Sequence, residues 1–327
     1  MADLYNGAPR SFTATQQIQY QNAYKRKYRD RSIMGDITNS EYKGKFYKKG
    51  TTIRVPIQPT VIIRDTQPGG GIIYQKPTDT FEDFTIGRES YWGLEFMPED
   101  TAFAPWDPKS PIVADAADEM AEHIERKFGL DIINKCDALN TGNTAGARSG
   151  GFKLGEPGSG NQVFLYGTEA ACKDSSKKYK CTAADHIVHC GNCLKEQKGG
   201  KGQDLWCVMP TIVGDRIQTS ELKLAGLYDD RNSLLRSDVS MLGKLNGMTL
   251  IQDDVMLPIF KDVTNGCNVY PILFGSKKAI SYADEVVFRD NGMKDVGSWD
   301  EFHRCKTVYD WFVTFPEFFG VSYVSIG

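Results

Sequence analysis

No stretch of this chain stays apolar over the roughly 20 residues that a membrane-spanning helix needs, so no such helix is expected. Its opening residues, MADLYNGAPRSFTATQQ, lack the basic-then-apolar order of a secretory leader, which predicts a chain made and kept in a cytosol until something releases it. Charge of one sign is also scarce. A formal net charge of -3, from 39 basic and 42 acidic residues, argues against a surface that grips nucleic acid all over. There are only four histidines: His123, His186, His189 and His303. Glu122-His123 lacks the second histidine of a zinc-protease helix, and no serine stands in a Gly-x-Ser-x-Gly elbow. Gly199-Gly200-Lys201-Gly202 follows no strand pattern and leads into neither Ser nor Thr, so it is no phosphate loop. The expectation is a protein that is not an enzyme, with His123 a surface or interface residue and not a base.

What remains is a soluble, globular composition: 40% hydrophobic and 25% charged over 327 residues, enough for one large domain or two smaller ones. Eight cysteines stand out. Cys172, Cys181, Cys190 and Cys193 fall in one segment, 171–197, whose text shifts to Lys and Cys without an apolar period and reads as an insertion. Three readings stay open. Cys190-Gly191-Asn192-Cys193 is a two-thiolate knuckle that Cys172 and Cys181 could complete into a zinc site, with His186 or His189 as substitutes, although the second knuckle is missing. The four thiols could instead pair as disulfides once outside a reducing cytosol, or stay free. Disulfide pairing is preferred over zinc, and no other cofactor is expected.

Taken in order, residues 1–50 are polar and read as an arm. Tyr20, Tyr24 and Tyr28 sit at helical spacing among Lys25, Arg26, Lys27, Arg29 and Arg31. Such a helix either lies on a neighbouring subunit or packaged nucleic acid, or folds back on its own domain. From Thr51 the period becomes two. Ile53, Val55, Ile57, Val61 and Ile63 alternate with polar residues, and Pro56 and Pro59 demand an edge or bulged strand. Gly69, Gly70 and Gly71 permit a reversal, and a second run places Phe84, Ile86, Trp92, Leu94 and Phe96 on one face. The expected product is a protruding hairpin. A two-stranded ribbon is marginal alone in water, so another copy must supply its partner surface, through Ile53, Val55, Arg64, the three glycines and Trp92.

Ser110 and Pro111 then open a long helix predicted to run to Leu139, with Asp115, Asp118, Glu119 and Glu122 early and Arg126, Lys127 and Lys135 late. Ile112, Ala116, Met120, Ile124, Phe128 and Ile132 form its apolar stripe, beside Val113, Ala117 and Ala121. Beyond the cysteines, LWCVMP from Leu205 reads as a buried strand, 211–227 as a helix, and 248–252 and 270–274 as strands. Residues 275–283 read as a short helix, and 286–288, 307–315 and 320–326 as final strands.

This order of parts resembles the major capsid proteins of tailed bacteriophages, the Hong Kong 97-type α+β fold. GTTIRVPIQPTVIIRD, IVADAADEMAEHIERKFGLDII, LGKLNGMTLIQDDVMLP and FGSKKAISYA carry the resemblance. It implies an N-terminal arm (1–50), an extended loop (51–100) and an axial domain (204–283). It also implies a peripheral domain (101–203 and 284–327) holding the spine helix 111–139 and the cysteine-rich insertion 171–197. The implied function is a virion shell subunit, made in the bacterial cytoplasm, that closes into hexamers and pentamers of an icosahedral head. Double-stranded DNA would be touched weakly and non-specifically, with scaffolding, portal and decoration proteins as possible partners. Family members can cross-link a loop lysine, and Lys76 is the only lysine in that loop. Two other functions fit the residues: a zinc-bearing nucleic-acid-binding protein, and an encapsulin-type cargo shell of the same fold.

Overall fold

The computed structural model describes residues 24–28, 31–41, 49–57, 61–65, 74–76, 80–96, 109–157, 161–165, 180–197, 204–218, 241–262, 266–288, 293–294 and 301–326. They form an α+β structure built on two large sheets and a separate two-stranded one. The larger runs in the order β5 (Lys180–Cys181), β4 (Val163–Leu165), β14 (Phe319–Ser325), β10 (Asn268–Ser276), β6 (Leu205–Met209), β8 (Met248–Gln252) and β7 (Met241–Leu245), with β9 (Phe260–Lys261) also on β10. Successive residues of a strand face opposite ways. Trp206, Val208, Leu273, Val321 and Tyr323 accordingly enter one core, while Cys207, Met209, Ile272, Phe274 and Val324 enter another. A sheet covered on both faces needs apolar residues in both phases, and all five residues of β6 are buried.

Helix α1 (Lys109–Ile132) covers the first face with Ala117, Met120, Ala121, Ile124, Phe128 and Ile132, most of the stripe the sequence predicts. It ends earlier than expected. Past Ile132 the chain makes two separate 3-10 turns, because Cys136 and Asp137 are extended and the Asp137 side chain accepts the Leu139 amide, competing with the helical bond. Gly129 is where α1 meets the segment after β8. A Cβ there would lie 1.9 Å from the Met256 carbonyl oxygen, so only glycine permits the approach.

The other face carries α2 (Ala183–Glu196) and α3 (Thr211–Gln218). Helix α2 lies within the segment 171–197, whose text shows no apolar period. Ala183, Ala184, His186, Ile187, Cys190, Gly191, Cys193 and Leu194 are buried, so 183–196 is a core helix whose stripe mixes cysteine, alanine and glycine with Ile187 and Leu194. Thr182 caps it, its hydroxyl accepting the Asp185 amide at 3.1 Å.

In the smaller sheet β13 (Glu301–Val313) takes β11 (Ile280–Phe288) and the short β12 (Met293–Lys294) along one side and β3 (Arg88–Phe96) along the other. The helix expected at 275–283 is instead a tight turn leading into β11. Nine consecutive pairings with β13 outweigh the weak local preference of Lys277, Lys278 and Ala279. Its inner face, with Tyr282, Tyr309 and Trp311, packs on α1. Among the described residues no helix is long and apolar enough to cross a membrane.

Candidate functional site

The expected hairpin exists, but its return strand is divided. Strand β1 (Thr52–Ile57) pairs antiparallel with β2 (Thr80–Thr85), in register from Thr52 opposite Thr85 to Ile57 opposite Thr80. Arg54 holds Asp83 across the pair at 2.8 and 3.2 Å, keeping that carboxyl below the usual carboxylate range. After Thr85 the chain leaves the stem, and Arg88–Phe96 joins the smaller sheet instead.

The base of the stem is seated on its own domain. Val55, Phe84 and Ile86 pack on Ala283 and Val308, with Ile53, Val287 and Phe312 at the margin. Of the expected contact residues, Ile53, Val55 and Trp92 therefore turn inward within the chain. Arg64 is exposed, Lys76 is exposed, and Gly69, Gly70 and Gly71 lie outside the described residues. The side chains presented to the outside are Val61 (76% exposed), Ile62 (60%), Ile63 (91%), Tyr74 (88%) and Phe81 (55%).

Where β2 gives way to β3, a charged knot ties three elements together. Arg88 lies 2.9 Å from Asp131 of α1 and 3.2 Å from Asp310 of β13, with its guanidinium 3.8 Å above the Trp311 ring. The Trp311 indole N–H donates to Asp131 at 2.6 Å, Lys135 donates to the same oxygen at 2.8 Å, and the Gly87 amide donates to Asp310 at 2.8 Å. Burial pushes the Asp131 carboxyl up, but the hydrogen bonds from Lys135 and Trp311 outweigh it and hold the group below its ordinary value. No motif marks these residues. Gly87, interrupting the alternation, is the one sequence signal that a break lies here.

The described part of the arm, 24–28 and 31–41, folds back on its own chain, one of the two alternatives its sequence left open. Tyr24 and Tyr28 are each 2% exposed. The Tyr28 hydroxyl is 3.2 Å from that of Tyr282, and the Trp92 indole donates to Tyr24 at 3.1 Å. Lys25 pairs with Glu285 at 3.6 Å, Lys27 with Asp118 at 3.3 Å and Arg31 with Glu122 at 2.7 Å, so three of the five basic residues face acids of the same chain. Arg26 is exposed, and Tyr20 and Arg29 lie outside the described residues. Behind Arg31 the Ile33 amide donates to Glu125 at 2.8 Å, and burial pushes that carboxyl up to about 7.

The preference for disulfides among Cys172, Cys181, Cys190 and Cys193 is not met at the three described positions, where Cys181, Cys190 and Cys193 are free thiols. Cys172 lies outside the described residues. Burial raises all three thiols, Cys181 and Cys193 to about 12. Among the described residues no three His, Cys, Asp or Glu side chains are grouped to hold a metal. Cys193 instead points its thiol at the Leu139 carbonyl at 3.4 Å. His186, also considered as a ligand, lies 2.6 Å from the Ser322 hydroxyl, which itself donates to the Leu154 carbonyl at 2.7 Å. With the serine proton committed to that carbonyl, the imidazole must donate, the reverse of a nucleophile and its base. Both residues are fully buried. His189 is exposed near Phe152.

No family model matches the chain, and no curated protein matches it. Solved structures do. A chain of Mycobacterium phage Che8 is 16% identical with a TM-score of 0.55, over 90% of each chain. A chain from the capsid of Cyanophage P-SCSP1u is 10% identical with a TM-score of 0.58, over 90% of this chain and 89% of that one. The capsid of Ralstonia phage GP4 gives 11% identity and a TM-score of 0.54, over 88% and 86%. At this level of identity the likeness is one of backbone, and over about nine-tenths of its length this chain has the fold of phage capsid chains.

Proposed function

We propose that this chain is the major shell subunit of a tailed-phage head, of the Hong Kong 97 type, its copies closing head to tail into hexamers and pentamers around double-stranded DNA. One observation carries the reading: a narrow two-stranded stem, in the loop beyond which Val61, Ile62, Ile63 and Tyr74 are exposed. Isolated ribbons of this kind are marginal in water, and a neighbouring copy is the surface that covers them. Heterologous contacts between identical copies close into rings. The shared backbone fold with capsid chains supports the same reading. So does the arm, whose Lys25, Lys27 and Arg31 are matched by acids of the chain itself, leaving a mildly negative subunit that touches DNA weakly. Scaffolding, portal and decoration proteins are the further partners this reading expects.

Electron microscopy of the expressed chain, with a scaffolding partner supplied, tests it. Closed shells or capsomer rings are expected, and chains that persist as monomers under those conditions overturn the proposal.

A further inference from the structure

We propose that the Arg88 knot is an angle-setting device: it fixes the direction in which the extended loop leaves the body, and through that direction the curvature of the shell. This rests on the assembly reading above. The knot sits where β2 ends and β3 begins, at the foot of the stem, where a swing of the stem would be hinged. Its members come from the three elements such a hinge must relate: Gly87 and Arg88 from the loop's return, Asp131 and Lys135 from α1 and the turn after it, and Asp310 and Trp311 from β13.

Its chemistry suits orientation better than stability. The side chains of Arg88 and Asp131 are 35% and 30% exposed, and ion pairs at such exposure add little to folding. A planar guanidinium laid on an indole and shared between two carboxylates fixes direction in a way that a point charge does not. The Trp311 indole and the Gly87 amide then lock the two carboxylates in turn. Direction matters because the stem is a lever. Six strand residues span about 17 Å at roughly 3.4 Å each, so a swing of about 10° at the base moves the far end by about 3 Å. That displacement exceeds what a packed interface tolerates. The apolar seat under Val55, Phe84 and Ile86 holds the stem down. The knot adds the bearing.

The test compares the wild-type chain with Arg88→Lys, Arg88→Gln and Asp131→Asn. Arg31→Gln is the control, removing an ion pair of similar exposure from the same helix. Two readouts are taken. In particles imaged after assembly, the share of shells with the wild-type diameter should fall about two-fold or more in Arg88→Gln and Asp131→Asn, replaced by other diameters and open sheets, with Arg88→Lys in between and Arg31→Gln unchanged. In the unassembled chain, amide exchange across residues 80–90 should quicken in the two knot variants and not in the control. Knot variants that keep both wild-type diameters and wild-type exchange overturn the inference. Failure of the wild-type chain to form particles overturns the assembly reading instead, and the exchange data then still decide whether the knot restrains the loop. Should Arg88→Gln not fold, Asp131→Asn carries the same two readouts.

Discussion

Glu125→Gln should change how the stability of this chain depends on pH, and the size of the change follows from the surroundings of one carboxyl. Glu125 is 2% exposed, lies on the α1 face that meets the arm, and accepts the Ile33 amide. Burial pushes its pKa up from 4.5 to about 7, and Asp253 nearby pushes the same way, while the Ile33 amide, Ser32 and Arg31 pull down. In the unfolded chain the proton leaves near 4.5; in the folded chain it stays until about 7. Between those values the folded state binds more protons, so this group's contribution to stability falls as pH rises through the window and levels off above it. Fully developed, the loss is about 3 kcal/mol at pH 8. Glutamine keeps an acceptor for the Ile33 amide and has no charge to bury. Urea unfolding at a series of pH values should show the variant equal to wild type near pH 4.5 and more stable by up to about 3 kcal/mol near pH 8. His186, which burial holds neutral down to about 3, loses stability on the acid side in both proteins and cancels in the difference. A variant-minus-wild-type difference that is flat across pH 4.5 to 8 refutes the assignment of a protonated Glu125.

Gly129→Ala forces a methyl into the Met256 carbonyl, and thermal unfolding should show a loss of about 1–3 kcal/mol or more, larger than alanine's helix preference returns. Ser322→Ala strands the His186 N–H in the core, while the Leu154 carbonyl keeps the Tyr323 amide, and should lose about 1–3 kcal/mol by the same measurement. Ile63→Lys, at a side chain 91% exposed, should leave the unfolding midpoint of the isolated chain within about 0.5 kcal/mol of wild type while blocking particle formation. A variant that still assembles removes Ile63 from the contact.

The parts of the fold that the sequence made legible are those with strong periods. The α1 stripe from Ala117 to Ile132 and the strands β6, β8, β10 and β14 stand where their residue patterns put them. What escaped has physical causes. In α2 only Ile187 and Leu194 of the buried stripe are large apolar residues, and the rest is Cys190, Gly191, Cys193 and alanines, whose burial is clear only once a sheet lies opposite, although Thr182 three positions before Asp185 is a helix-start signal present in the text. The segment after Gly275 has no strong local preference and is decided by its long pairing with β13. The stem was legible as alternating strands, yet nothing in the alternation of Phe84, Ile86 and Trp92 tells that the first belongs to the stem and the last to another sheet. The knot is hidden for a related reason: Arg88, Asp131 and Asp310 are far apart in sequence, and each alone reads as an ordinary solvated charge.

The division of the return strand at Gly87 has a mechanical side. Strand β3 is covalently continuous with the stem and lies against β13 over nine register pairs. A tug on the loop along its own length is therefore carried into that ladder crosswise to its hydrogen bonds, which must all slide together before any one lets go. The six-pair stem, pulled apart at its tip, instead opens pair by pair. Stretched, the subunit would lose the outline of its loop long before its body lost hold of it.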